Sequence, residues 1–204
     1  MKGLFDPDGV FARAMDFLWR MIVLNVLFVI CSIPVFTFGA SSAALYGCIQ
    51  KAQKDYDGRL ARLFFRKFGE NFKAATLAWL IMLLPIALCA VDLMVVPVGL
   101  WRILAVLGLQ VCAMVLVLLF PLCARYENTA PIHVKNALLL ALGNLPRVLA
   151  VFVLWGIPMG ACLYSGTVMY VLSIMWVLFL YAILSWVSQA ILWPVFEKLE
   201  EEVS

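Results

Sequence analysis

The chain has 204 residues, of which 66% are hydrophobic and 13% are charged, and its mean hydropathy is +1.04. A soluble domain of this length carries roughly twice that share of charged residues, so the composition excludes a water-soluble globular protein. The net charge is only +3. We therefore predict an all-α, polytopic membrane helix bundle that forms a single membrane domain over residues 1–204.

The apolar residues fall into long uninterrupted blocks. A membrane span needs about 20 such residues, because the hydrocarbon layer is roughly 30 Å thick and a helix rises about 1.5 Å per residue. An N-terminal arm, 1–18, precedes the first block. Five blocks meet the requirement, at approximately 19–38, 74–96, 102–123, 148–164 and 170–196.

The segment that follows the first span is rich in small residues. Gly39, Ala43 and Gly47 recur at four-residue spacing, which favours close packing between helices. Two topologies follow. With five crossings the N-terminus lies opposite the C-terminus, whereas a short extra helix re-entering the membrane over 39–53 would bring both termini to one side.

The loop 50–73 is the most polar part of the chain and holds seven Lys and Arg residues. Within it, helical spacing separates a Leu and Phe face from an Arg face. A cationic helix of this kind is predicted to lie along the membrane surface or against a partner protein. The candidate lipid or partner contacts are Arg59, Arg62, Phe64, Phe65, Arg66 and Phe68.

The second and third spans form a hairpin with one charge near each side of its turn. Asp92 and Arg102 are predicted to meet there as a pair, which keeps both charges tolerable beside the hydrocarbon layer. The second polar loop, 125–147, is predicted to contain another surface helix over 129–143.

The basic residues predict the orientation. In the five-span topology, the loops 50–73 and 125–147 and the C-terminus carry eleven Lys and Arg residues, against four on the other side. Because cytoplasmic loops are enriched in these residues, both loops and the C-terminus are predicted to be cytoplasmic in a multi-pass protein of the cell membrane.

The chain also contains an internal repeat at a constant offset of 73 residues. Asn71 aligns with Asn144, Pro85 with Pro158, Cys89 with Cys162, and Pro121 with Pro194. Each unit is predicted to be a surface helix, a span interrupted by Pro, a turn, and a span ending at Pro. The predicted structural residues are Pro34, Gly39, Asn71, Pro85, Asp92, Arg102, Pro121, Asn144, Pro158 and Pro194.

The sequence has no motif of an enzyme. It contains no G-x-S-x-G, Walker, H-E-x-x-H or dinucleotide-binding pattern, no C-x-x-C pair, and a single histidine, His133. We therefore predict no catalytic residues, no cofactor, no metal site and no nucleic-acid partner. Polar residues at membrane depth favour interhelical hydrogen bonds over a solute path; they are Asn25, Gln110, Ser185, Ser188 and Gln189.

The stretch around Pro34 carries a recognisable signature, which consists of Asn25, Ser32-Ile33-Pro34, Thr37-Phe38-Gly39 and Ala43-Ala44-Leu45-Tyr46. It resembles the YesL-like family of integral membrane proteins, built on domain of unknown function 624, and later stretches around Asn71, Pro121 and Asn144 are similar to that family. The resemblance implies a small bacterial membrane protein associated with carbohydrate uptake by ABC transporters, with no established catalytic residues.

Three functions are compatible with these observations. The first is an accessory or regulatory membrane protein bound to subunits of a carbohydrate ABC importer. The second is a small self-sufficient transporter, working as a homo-oligomer. The third is a membrane scaffold without transport activity.

Overall fold

The computed structural model describes residues 10–52, 60–96, 99–162 and 165–203. These ranges contain no β-strand, which confirms the all-α prediction. A 3₁₀ turn, Val35–Thr37, precedes the second helix, and a π-helical turn, Trp176–Leu180, joins the last two. The α-helices are Val10–Ser32 (α1), Phe38–Ala52 (α2), Leu60–Val95 (α3), Leu100–Arg125 (α4), Ala130–Gly143 (α5), Leu145–Cys162 (α6), Gly166–Met175 (α7) and Tyr181–Val203 (α8).

Five helical segments in this part of the chain are long and apolar enough to cross a membrane, as the sequence predicts. The first begins within the predicted N-terminal arm, because α1 already covers residues 10–18. The helix predicted over 129–143 is present as α5, which begins at Ala130. The five segments are Phe11–Ser32, Leu60–Val95, Leu100–Arg125, Leu145–Cys162 and Gly166–Glu201.

The third helix is longer than its predicted span. α3 has 36 residues and is therefore about 54 Å long, against about 30 Å of hydrocarbon. Its apolar part, from Lys73 to Val95, accounts for about 33 Å. Residues 60–72, predicted as a separate helix along the surface, instead continue the axis of the span, because their apolar face packs on α1 and α2.

The second helix occupies the centre of the bundle. All eleven residues from 39 to 49 are buried, with α1, α3, α4 and α8 around them. A Cβ on Gly39 would collide with the carbonyl oxygen of Ala75 and lie 2.7 Å from the Trp79 Cβ. A Cβ on Gly47 would lie 3.2 Å from the Lys67 Cδ. The predicted role of these small residues in close packing is confirmed.

The helix directions bring both ends of the described chain to one end of the bundle. The Phe17 and Trp186 rings are 5.1 Å apart and Asn25 contacts Trp176, so α1 runs antiparallel to the last helix. α1 therefore begins at the end where α8 finishes. This arrangement agrees with the re-entrant alternative, in which both ends of the chain lie on one side.

The turn between α1 and α2 packs beside the apolar part of α3. The Trp79 Nε1 donates to the Val35 carbonyl at 2.9 Å, and Trp79 stands only about 9 Å along α3 from Lys73. Thr37 Oγ1 donates to the carbonyls of Cys31 at 2.6 Å and Pro34 at 2.7 Å. These bonds matter because irregular backbone at membrane depth needs partners within the protein.

The predicted repeat has structural counterparts. Asn71 Nδ2 donates to the carbonyl four residues earlier at 3.0 Å, and Asn144 Nδ2 does the same at 3.3 Å. The copies differ because α3 continues through Asn71, whereas the chain breaks between α5 and α6 at Asn144. Pro146, which has no N–H to donate, follows that break, whereas the first copy has Lys73 at this position. Pro85, Pro121, Pro158 and Pro194 all lie inside helices.

Candidate interaction site at the basic end

Basic residues are concentrated at one end of the bundle, which we call the basic end. It comprises the start of α1, the end of α2, the start of α3, the end of α4, the start of α6 and the end of α8. α5 lies there too, because it connects α4 to α6. Arg102 lies at the opposite end. The other eleven of the twelve Lys and Arg residues in the described ranges are Arg13, Arg20, Lys51, Arg62, Arg66, Lys67, Lys73, Arg125, Lys135, Arg147 and Lys198.

An exposed row of side chains runs along the first three turns of α3. Phe65 is 53% exposed and Phe72 37% exposed. Gly69 lies between them, and a Cβ there would meet nothing within 4 Å. The spacing of three and four residues places the whole row on one helical face. We call this row the α3 stripe; its members are Arg62, Phe65, Arg66, Gly69, Phe72 and Lys73.

The opposite face of the same segment is internal. Leu60 and Phe64 are buried in a cluster with α1 and α2, and Phe64 is 0% exposed. Phe68 is half-buried, with its ring 5.5 Å from that of Phe72. Phe64, predicted as a partner contact, is therefore a core residue, because α1 and α2, which form the re-entrant hairpin, cover its face of α3. Arg59 lies outside the described residues.

The α3 stripe keeps a positive balance. Glu70 accepts a hydrogen bond from Lys67 Nζ at 2.7 Å and lies 3.7 Å from Arg66 Nε. Arg62 and Lys73 take part in none of the ion pairs found among the described residues. Two of the three cations on the stripe are thus available to an outside group.

A second contact at the basic end fastens α8 to α4. The Arg125 Nε lies 3.0 Å from Glu200 Oε1. The guanidinium carbon is also 4.9 Å from the centre of the Trp193 ring and 5.0 Å from that of Phe196, within the range of cation–π attraction. No local sequence pattern indicates this contact, because it depends on which helices become neighbours.

The buried polar side chains hold helices together. Asn25 bonds to the backbone around Trp176, Ser42 Oγ lies 2.9 Å from the Tyr181 hydroxyl, and Gln189 Nε2 donates to the Tyr46 carbonyl at 2.8 Å. Trp155 donates to Ser188 Oγ at 2.9 Å. These bonds agree with the interhelical role predicted for Asn25, Ser188 and Gln189.

Aromatic rings fill the space around the re-entrant turn. Phe28 stacks on Tyr181 with ring centres 4.0 Å apart, and Phe38 lies 4.9 Å from Trp79. No local sequence pattern indicates this cluster, since its seven rings come from seven different helical elements. It comprises Phe28, Phe38, Trp79, Phe120, Trp155, Trp176 and Tyr181.

The opposite end does not contain the predicted charge pair. The ion pairs of the described residues do not include one between Asp92 and Arg102. Instead, Arg102 lines a groove of about 360 Å³ along one face of α4, which extends to Gln110.

These features define a polytopic helical membrane protein with a re-entrant hairpin, a closed aromatic core and one strongly basic end. The model of the family described as "Protein of unknown function, DUF624" matches residues 21–93. This segment holds about half of α1, the turn between α1 and α2, α2 itself and nearly all of α3, and the predicted resemblance to that family is confirmed over it. No curated protein and no solved structure matches the chain.

Proposed function

We propose that this protein is a non-catalytic accessory or regulatory subunit of a carbohydrate ABC importer, and that its basic end docks on the complex from the cytoplasmic side. The resemblance to the YesL-like family supplies the class of partner. The packing of the bundle centre supplies the reason to favour an accessory subunit over an autonomous transporter.

The occupied centre is the observation on which the proposal rests. The eleven buried residues 39–49 of α2 and the seven aromatic rings fill the axis of the bundle. The bonded polar side chains there reach backbone groups or one another. A transporter places such groups toward a solute or ion path, so this arrangement supports a role in binding other proteins.

The height of the α3 stripe favours a protein partner over lipid. Phe65 lies about 12 Å along α3 beyond Lys73, and Arg62 about 16 Å. The headgroup layer on each side of the hydrocarbon is only about 5–8 Å thick. With Lys73 at the edge of the hydrocarbon layer, even a helix tilted by about 40° carries both residues past the headgroups and into the aqueous phase.

The charge distribution supports a cytoplasmic position for the basic end. Lys and Arg residues are retained on the cytoplasmic side during insertion. In the re-entrant topology, eleven Lys and Arg residues of the described ranges lie at the basic end and one lies at the opposite end. The five-span topology predicts a weaker asymmetry of eleven against four over the whole chain. The end of α8 would then also be cytoplasmic.

Co-purification in a gentle detergent tests the proposal. Tagged protein isolated from a bacterium that encodes it should retain importer subunits, and the double variant Arg62→Glu/Arg66→Glu should lose them. The matched control is Lys135→Glu/Arg147→Glu, which reverses two charges at the same end but off the stripe. Recovery of the protein alone, while the importer stays intact, would refute the proposal.

A self-sufficient homo-oligomeric transporter is the second candidate. α7 has no buried residue, and α6 buries only Val148 and Val151, so this hairpin offers an apolar face that a second copy would cover. Sugar flux into liposomes containing only this protein would favour the transporter. Absence of sugar flux into these liposomes under every gradient would favour the accessory role.

A further inference from the structure

We infer that the α3 stripe is a socket for an acidic amphipathic helix of a water-soluble partner, with an apolar side chain of that helix seated over Gly69. The inference rests on the docking role proposed above. It adds the chemistry of the docking segment and the position at which it binds.

The shape of the stripe suits a helix. Phe65 precedes Gly69 by four residues and Phe72 follows it by three, so the two rings flank a position without a side chain. The stripe extends about 16 Å, or three helical turns. Helices that dock in grooves insert apolar side chains at this spacing, and the glycine allows the partner to approach the α3 backbone closely.

The charges of the stripe specify an acidic partner. Arg62 and Lys73 mark its two ends, and Arg66 lies between the rings with only a 3.7 Å contact to Glu70. Arginine beside exposed aromatic rings is a combination enriched in interface hot spots, and its guanidinium matches the geometry of a carboxylate. A partner helix with Glu or Asp flanking its apolar row complements all three cations.

Two other occupants fit less well. If Lys73 marks the edge of the hydrocarbon layer, Arg62 and Phe65 lie beyond the anionic headgroups. A second copy in the same bilayer presents the same basic end at the same level, and like charges facing each other repel.

Binding of a designed peptide tests the socket. The probe is a fluorescent helical peptide of about 14 residues, with Leu along one face and Glu along the other. It is titrated by anisotropy against the full-length protein in phosphatidylcholine nanodiscs. The same peptide with Lys in place of Glu serves as the charge control.

The decisive variant is Gly69→Leu. The open space at this position and the better helix propensity of Leu preserve the fold, which thermal unfolding verifies, while the new side chain fills the socket. We expect it to weaken binding of the acidic peptide by about tenfold or more. Gly143→Leu, at another open glycine of the basic end, should bind like the wild type.

Three outcomes would overturn the inference. One is equal binding by the wild type and Gly69→Leu. Another is stronger binding of the basic peptide. The third is stripe-dependent binding to phosphatidylserine liposomes without any peptide binding, which would assign the stripe to lipid.

The inference and the proposed function can fail separately. An importer that co-purifies with a protein unable to bind the peptide would refute the socket and leave the accessory role. Peptide binding without any co-purified importer would refute the accessory role and leave the socket.

Discussion

Asn25 on α1 holds the π-helical turn that begins at Trp176. Its Nδ2 donates to the carbonyls of Trp176 at 2.8 Å and Val177 at 2.7 Å, and its Oδ1 accepts from the Ala182 N–H at 2.9 Å. A π-helical turn displaces the regular backbone ladder, and unsatisfied backbone groups in hydrocarbon cost several kcal/mol. One amide side chain from a distant helix therefore supplies the bonds that the turn lacks.

Replacing this amide should weaken the bundle. We expect Asn25→Leu to lower the free energy of unfolding by about 2 kcal/mol, because the three bonds are lost and backbone groups are left unpaired. Thermal unfolding of the purified protein measures the effect, with Asn136→Leu on α5 as the matched control. Equal losses in the two variants would contradict the structural role of Asn25.

Close packing at the start of α2 predicts that a single methyl group is harmful there. Gly39→Ala should cost about 1–3 kcal/mol, because the Cβ meets the α3 backbone at Ala75. Gly156→Ala on α6, where a Cβ meets nothing within 4 Å, should be neutral or stabilising by up to about 1 kcal/mol. Size-exclusion profiles after heating compare the two; a stable Gly39→Ala protein would disprove the packing argument.

The hydroxyl contact between α2 and α8 can be isolated by a double-mutant cycle. Ser42→Ala and Tyr181→Phe should each destabilise the protein by about 1 kcal/mol, since each removes the same buried hydrogen bond. The double variant should lose little more than either single variant. Fully additive losses would mean that the two hydroxyls are not coupled.

The re-entrant hairpin predicts which engineered cysteines share a side. In a background whose native cysteines are replaced, Arg13→Cys and Lys198→Cys should react with an impermeant maleimide from one side of the membrane, and Arg102→Cys from the other. Labelling of intact spheroplasts and of inverted vesicles distinguishes the sides. Labelling of positions 13 and 102 from the same side would support the five-crossing topology instead.

His133 should make stability depend on pH. The side chain is 1% exposed on α5, and burial lowers its pKa below the ordinary 6.5. The unfolded chain therefore binds the His133 proton more readily than the folded chain does. The contribution of His133 to the free energy of unfolding is fully present above pH 6.5 and is lost as the pH falls below that value. His133→Leu should flatten the acid side of a melting-temperature profile. An unchanged profile would show that His133 does not contribute.

The long apolar helices could be predicted because hydrophobic length is a local property of the chain. The change of composition at Lys73 was harder to interpret, since α3 continues through it. The position of α2 could be predicted only in part. The spacing of Gly39, Ala43 and Gly47 indicated close helix packing, but it did not decide between the two topologies or show which helices surround α2.

The candidate site shows the same limit. Helical spacing separated Arg62 and Arg66 from the apolar face, and the structure keeps that division. The spacing could not decide that Phe64 is buried while Phe65 is exposed, because this depends on α1 and α2 reaching one side of α3. The contacts of Arg125 and the aromatic cluster likewise depend on helix neighbours that no local pattern encodes.

The central position of α2 has a consequence for biosynthesis. The hydrogen bond of the Ser42 hydroxyl on α2 cannot form before Tyr181 has been synthesised, 139 residues later. Until then the nascent chain contains α2, a helix that lipid alone solvates poorly. We therefore expect α2 to reach its final packing only after α8 has been translated. Completion of the C-terminal helix thereby acts as a checkpoint, and a chain truncated before it would offer a half-inserted hairpin to membrane proteases.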